Sequence, residues 1–334
     1  MSVRALSGLW VRHGHATMKI VFMGTPEFAR AILYVLIESS HQIVTVVTGA
    51  DKPVGRRRVM TSTAVHEYAR EHKLPVLTPS SLKDPNLRET LAGLDADLFI
   101  VAAFKILPPS LFELPKLGSI NIHASLLPKY RGAAPINWAI INGESVTGLT
   151  SFFLKRQVDT GDMILQTKVP IAPNDTYDSL HDRLATIAGP FTLETLDLIA
   201  RGETRPIPQD NTAATPAPKI QPEDALIAFD QPATRVASFI RGMATRPGAY
   251  TFFRGQMLKV HFGSVSEQMA DSALPIGSML PDRKALRVVC GSGIVELTKV
   301  IPAGKKEMDG VSFINGFRPV AGESFTREGK TEFL

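Results

Sequence analysis

From Met18 onward the hydrophobic and polar positions follow two spacings in turn, one of strand type and one of helix type. KIVFM (19–23) is an unbroken apolar run of strand length. PEFARAILYVLIES (26–39) carries its apolar residues at helical spacing behind an opening proline, and QIVTVVT (42–48) is again β-branched and apolar. Together they form a βαβ unit. Further strands are predicted at Asp97 to Ala103, Ser119 to His123, Leu149 to Phe153 and Met163 to Val169, with helices near Thr63 to His72, Pro135 to Asn142 and Tyr177 to Ala200. This alternation argues for an α/β fold with a largely parallel sheet and helices on both faces, in which ligands bind beyond the carboxyl ends of the strands.

The pattern changes after Arg201. Residues 202–224 are rich in Pro, Thr and Ala and have no periodicity, which predicts an interdomain linker. Beyond it, GAYTFFRG, QMLKVHFGSV, ALRVVCGSGIVELTKVI and ESFTREG are short, β-branched or aromatic segments separated by glycines, with one helix near Thr234 to Met243. These predict a small β-barrel over 225–334. The resulting division is an extension 1–17, a catalytic domain 18–201, the linker, and the barrel.

Composition narrows the class of protein. A chain of 334 residues with 44% hydrophobic content can bury two cores. The single cysteine, Cys290, excludes an intramolecular disulfide and a thiolate metal cluster, and a reducing cytoplasm is expected. No apolar run approaches the roughly 20 residues that span a bilayer, so no membrane partner is expected. A monomer is expected because no long amphipathic seam stands out. The net charge of +5 is compatible with a polyanionic partner and does not require one. The first 17 residues contain Arg4, Arg12, His13 and His15 and no acid; the expectation is a mis-assigned start or a disordered extension rather than a targeting signal.

Three stretches carry candidate chemistry. MGTPEF (23–28) joins a strand to a helix and has one glycine where a dinucleotide fingerprint needs three, so a tight turn is the expected reading. SINIH (119–123) puts Asn121 and His123 on one face at the carboxyl end of a strand, where two hydrogen-bond donors suit a developing oxyanion and proton handling. Alone, His123 reads as a structural histidine, but Pro128, Gly132 and Pro135 impose a defined turn just beyond it. QVDTGDMIL (157–165) carries Asp159 and Asp162 at a glycine-containing turn; with no His or Cys nearby in sequence, turn chemistry is a better account of them on spacing alone than metal binding.

NIHASLLPKYRGAAPIN followed by VDTGDMI resembles the folate-dependent formyltransferase family, and MGTPEFA, DKPVGR, ILP, LPKLGSINIHASLLP and IPAGKKE extend the likeness from residue 18 into the second domain. The resemblance implies a Rossmann-like catalytic domain followed by an OB-like barrel. It implies 10-formyltetrahydrofolate as formyl donor, no metal, and a catalytic Asn121, His123 and Asp159. Asp162 is left to the turn. Donor-binding elements implied are Ala102, Ala103, Phe104, Lys105, Ile106 and Leu107 after one strand and Ser125, Leu126, Leu127 and Pro128 after another. Family members differ in acceptor, from methionyl initiator tRNA to small amines such as nucleotide-linked amino sugars or glycinamide ribonucleotide.

Two features favour tRNA. In the loop 51–62, Lys52, Arg56, Arg57 and Arg58 face a single acid, Asp51; such a run is usually solvated surface, yet it suits phosphate contact. The barrel carries Lys259, Lys305 and Lys306 but is not strongly basic overall, and it is the resemblance that implies an auxiliary tRNA grip there. Lys155 and Gln157 stand where many family members have Asp and Gly, and AAFKILP replaces the frequent AYG form, which leaves the donor-pocket detail open. A formyltransferase of small amines is the second hypothesis and a non-catalytic RNA-binding protein the third.

Overall fold

The computed structural model describes residues 17–54, 59–268, 274–280, 284–320 and 322–328. All but the last residue of the expected extension, and Arg56, Arg57 and Arg58, lie outside the described residues. The chain forms two compact units. One holds the chain through His123 with Leu149–Thr167 and Leu184–Thr212; the other holds Ala124–Gly148, Lys168–Arg183 and the chain from Ala213 onward.

The chain begins with β1 (Lys19–Gly24), α1 (Glu27–Ile37), β2 (Gln42–Val47), the hairpin of β3 (Lys52–Val54) and β4 (Val59–Thr61), α2 (Ala64–Glu71), β5 (Val76–Leu77), α3 (Pro85–Gly93), β6 (Leu98–Ala102), α4 (Pro109–Phe112) and β7 (Ser119–His123). It continues through β8 (Arg131–Gly132), α5 (Pro135–Ile141), β9 (Val146–Phe153), β10 (Met163–Pro170) and α6 (Tyr177–Ala200). Seven strands make one sheet in the order β5-β2-β1-β6-β7-β9-β10. Pairs β1–β2, β1–β6, β2–β5 and β6–β7 are parallel, whereas β7–β9 is antiparallel. The largely parallel sheet expected from the alternation is therefore present. The reversal at β9 is not legible in its sequence, because the side chains of a buried strand carry no mark of direction.

The strands are apolar because both faces are covered. Every residue of β1 except Lys19 is buried, and α1 turns Phe28, Ala29, Ile32, Leu33 and Leu36 inward at helical spacing. On one face Val21, Met23, Val47, Phe99 and Val101 pack with Leu87 and Leu91 of α3 and Leu111 and Phe112 of α4; each such burial contributes about 1.5–3 kcal/mol. Neither α3 nor α4 was expected. The first has only two buried apolar positions, but Asp84, which accepts from Asn86 N at 2.9 Å, and Pro85 after it mark its start.

The stretch expected as a linker is anchored at several points. In the first unit Met163 and Ile207 exchange backbone hydrogen bonds of 2.9 Å. In the second unit β11 (Pro216–Ala217) pairs in parallel with β8, Tyr130 N donates to Thr215 Oγ1 at 2.9 Å, and Trp138 Nε1 donates to Pro218 O at 2.8 Å. Gly132 sits at φ +128°, and a Cβ there would lie 2.4 Å from Ala217 O, so this close pairing requires glycine.

The second unit continues through α7 (Ala233–Met243), β12 (Ala249–Phe253), β13 (Gln256–Val265), β14 (Arg287–Val289), β15 (Ile294–Pro302), β16 (Met308–Asp309) and α8 (Gly310–Phe317). The antiparallel order is β12-β13-β15-β14, with β16 beside β15. Single bridges complete a ring: Phe252 to Thr326, Ser324 to Ser278, and Met279 to Val288 of β14. Ser324 and Thr326, from the segment expected as the last strand, thus close the expected small barrel. Val236 and Ile240 of α7 join Leu258, Val260, Val288, Val295 and Leu297 in its core, where the Phe253 ring lies 5.3 Å from Phe313 and 5.8 Å from Phe325. Helix α8 was not expected, although its cap, Asp309 accepting from Ser312 N at 2.7 Å, is a usual start signal.

Candidate active site

Strand β7 places Asn121 and His123 two residues apart and therefore on one face. In register, Asn121 lies opposite Val101 of β6 and Phe152 of β9, and His123 lies opposite Thr150. Asn121 is half-buried; His123 is buried, with its ring edge-on to Phe152 at 6.5 Å. Thr150 Oγ1 accepts from Gln166 Nε2 at 2.9 Å.

Asp159 arrives from the turn between β9 and β10. Its carboxylate is buried and Oδ2 lies 4.0 Å from His123 Nδ1, beyond a direct hydrogen bond but within ion-pair range. Two residues distant in sequence are thereby brought together at the carboxyl end of β7. The turn is tightly determined. A Cβ on Gly161 would sit 1.6 Å from Phe153 O, so no side chain fits. Asp159 itself adopts φ +54°, a left-handed conformation that costs a residue with a Cβ about 1–2 kcal/mol. Thr160 Oγ1 donates to Gln157 O at 2.8 Å, and Phe153 N donates to Asp162 O at 3.1 Å.

Asp162 faces a different partner. Lys155 Nζ meets its Oδ1 at 2.7 Å, so Asp162 and the Lys155 noted as a departure form one ion pair at the turn. Gln209 was missed by sequence reasoning. It is buried, and its Nε2 donates to the carbonyls of both Asp159, at 2.9 Å, and Gly161, at 2.8 Å. A side-chain amide acting on backbone leaves no periodic trace, and its surroundings are those of a linker.

The segment after β6 occupies the same sheet edge. Gly24 of β1 pairs in register with Ala102, which is buried. Ala103 is exposed at φ +44°, Phe104 packs on the core, Lys105 is exposed, Ile106 is 73% exposed and Leu107 is buried. Ala103 is thus a left-handed non-glycine residue, and Ile106 presents an apolar side chain to solvent three residues later. Ser125, Leu126, Leu127 and Pro128 belong to the other unit, where Ser125 and Leu127 are buried and Ser125 Oγ donates to Lys129 O at 2.7 Å. Beyond that loop Tyr130 OH donates to Glu144 Oε1 at 2.9 Å, and burial first pushes its phenol up to about 12.

Lys52 is exposed on the β3–β4 hairpin. Asp51, at the base of that hairpin, is engaged by His66 at 2.9 Å; hydrogen bonds from Ser62 and then His66 hold its carboxyl below the usual range. In the MGTPEF turn, Glu27 fills the first turn of α1 and pairs with Arg30. Among the described residues no group of three or more His, Cys, Asp and Glu is placed to hold a metal ion. A separate cavity of about 710 Å³, lined by Phe112, Lys116, Phe153 and Arg156 among others, includes Ser119 at the amino end of β7 rather than His123 at its carboxyl end.

The fold and the site define a class. Residues 18–196 match the family described as formyl transferase, and residues 219–318 match the formyl transferase C-terminal domain. The chain belongs to the formyl transferase family. It is 41% identical over 314 residues to the methionyl-tRNA formyltransferase of Parabacteroides distasonis, covering 91% of this chain and 97% of that one. To the methionyl-tRNA formyltransferase of Geobacter sulfurreducens it is 39% identical over 318 residues, 95% of this chain and 99% of that one. Among solved structures, the N-formyltransferase from Helicobacter canadensis in complex with folinic acid and dTDP-3-aminofucose shares the fold, with a TM-score of 0.65 at 19% identity, over 84% of this chain and 99% of that one.

Proposed function

We propose that this chain transfers the formyl group of 10-formyltetrahydrofolate to the α-amino group of methionyl initiator tRNA for translation initiation, with Asn121, His123 and Asp159 as the catalytic groups. The observation that carries the reading is the buried Asp159 carboxylate 4.0 Å from His123 Nδ1 at the carboxyl end of β7, in a formyl transferase family member. The acceptor is supported by relatives at 39–41% identity, over more than nine-tenths of the chain, that carry the name methionyl-tRNA formyltransferase.

The donor, when bound, supplies an electrophilic formyl carbon and a nitrogen able to leave. Asn121 and His123 share one face of β7, and in this reading their N–H groups donate to the formyl oxygen as negative charge grows on it during attack by the amine. One well-placed donor is worth about 3 kcal/mol in such a role. Asp159 orients the His123 ring and accepts the proton released by the attacking nitrogen, directly or through water. The C–N bond to the acceptor forms, the C–N bond to the donor breaks, and the donor nitrogen takes up a proton. The exposed left-handed Ala103 with Phe104, Lys105 and Ile106, the ends Ala102 and Leu107, and the loop Ser125, Leu126, Leu127 and Pro128 are assigned to donor binding. Ile106, 73% exposed, suits the face of a flat ring.

Lys52, Arg56, Arg57 and Arg58 are assigned to the tRNA phosphates, residues 18–201 to catalysis, 202–224 to the linker and 225–334 to an auxiliary tRNA grip. The working state is a cytoplasmic monomer; among the described residues no helix is long and apolar enough to cross a membrane. The test offers purified protein 10-formyltetrahydrofolate with methionyl initiator tRNA beside a nucleotide-linked amino sugar. Formyl-methionyl-tRNA is the expected product, and turnover of the sugar alone would overturn the acceptor. Asp159→Asn is expected to lower kcat by about 10²-fold or more with the fold retained. Near-normal turnover would remove Asp159 from the centre.

A further inference from the structure

We propose that Gln209 is a positioning residue for formyl transfer: its side-chain amide holds the Asp159 turn so that the carboxylate faces His123. The inference rests on the reading of Asp159 as a catalytic group. Gln209 lies outside both segments that match the family, 18–196 and 219–318.

Both hydrogens of the amide are engaged, with Asp159 O at 2.9 Å and Gly161 O at 2.8 Å. Two carbonyl oxygens can be faced only by the NH2 end of the side chain, which fixes its orientation. The amide acts on a turn that needs holding. Asp159 is left-handed at φ +54°, a conformation that Asp enters more readily than most residues with a Cβ but that persists where the surroundings hold it. On the other side, Phe153 O stands where a Cβ of Gly161 would be, so the turn is confined between the end of β9 and the Gln209 amide. The backbone that delivers Gln209 is itself fixed two residues earlier by the paired hydrogen bonds of Ile207 with Met163, both 2.9 Å. Gln209 is only 9% exposed, so water does not readily replace its hydrogen bonds. Releasing the turn lets the carboxylate drift from His123, and a displacement of about 1 Å can cost about 10²-fold in rate.

Gln209→Glu is isosteric and sets carboxylate oxygens against the two carbonyls; Gln209→Ala deletes the donors without repulsion and serves if the first variant does not fold. Each is measured by kcat, by KM for donor and for tRNA, and by thermal melting, alone and in the Asp159→Asn background. The expected result is a kcat lower by about 10²-fold with both KM values nearly unchanged. In the Asp159→Asn background the same substitution should cost less than about threefold, because the group it positions is already disabled. Wild-type kcat in both Gln209 variants, with Asp159→Asn inactive, would overturn the role of Gln209 and leave that of Asp159. Equal losses in both backgrounds would overturn it too, as the mark of general structural support. An active Asp159→Asn would remove the catalytic reading and this inference with it.

Discussion

At the residue scale the site depends on what its backbone permits. Strand alternation assigns Asn121 and His123 a common face and an Asp-Thr-Gly-Asp run marks a turn at Asp159, but each alone favours a structural reading, and it is the family resemblance that singles out the three. Their proximity was not legible, since it depends on how β9 returns beside β7. Gly161 shows how narrow the solution is. In Gly161→Ala the new methyl meets Phe153 O at 1.6 Å and Phe153 C at 2.8 Å, both backbone atoms that no rotamer can move. The end of β9 or the turn must shift, and the Phe153 N to Asp162 O bond with it. The substitution is expected to destabilise by about 1–3 kcal/mol, as overpacking does, read as a lower urea midpoint. It should also lower kcat by about 10²-fold. A normal kcat beside a lowered midpoint would mean that the turn can move without carrying Asp159 away from His123.

At the element scale, sequence patterning recovered what periodicity encodes and missed what pairing decides. The long alternating segments β1, α1, β2, β7, α6 and α7 lie where expected. Helices α3 and α8 were marked by caps more than by apolar stripes, and β11 is two residues whose strand character comes from β8. The barrel supplies its own reporter in Cys290, which follows β14, is 3% exposed and has its thiol pushed up to about 11, chiefly by burial. At pH 8 the folded protein should react very slowly with a thiol reagent and rapidly once the barrel opens in denaturant. The sign of the pH effect follows from the raised folded value. Between an ordinary value of 9.0 and about 11 the unfolded thiol ionises while the folded one stays neutral, so this residue's contribution is intact below that window and is lost as pH rises through it. The stability of the wild-type chain relative to Cys290→Ala, from urea unfolding at successive pH values, should therefore decline across the window. A constant difference would show that the thiol ionises alike in both states.

At the scale of the whole molecule, the question is whether tRNA is drawn by net charge or held by a particular loop. Thirty-seven basic against 32 acidic residues leave +5, a weak field for a polyanionic partner. The parallel strands supply geometry that separates the two possibilities. β2 leads to the β3–β4 hairpin beyond the carboxyl end of the sheet, and Arg56, Arg57 and Arg58 fall between β3 and β4 in sequence, whereas exposed Lys19, Lys73 and Lys116 lie at or just before the amino ends of β1, β5 and β7. Arg56, Arg57 and Arg58 replaced by Gln, and Lys19, Lys73 and Lys116 replaced by Gln, each change the net charge from +5 to +2, that is 5 − 3. A field effect would weaken both variants alike. Phosphate contact would act on one: the slope of log(kcat/KM) for tRNA against log salt should become shallower by about 0.7–0.9 per lost contact, about 2.1–2.7 for three arginines, only in the loop variant. At saturating tRNA its kcat should stay near wild type, because Asn121, His123 and Asp159 are untouched. Equal slopes for the two variants would assign the arginines to solvated surface and move the tRNA grip elsewhere on the chain.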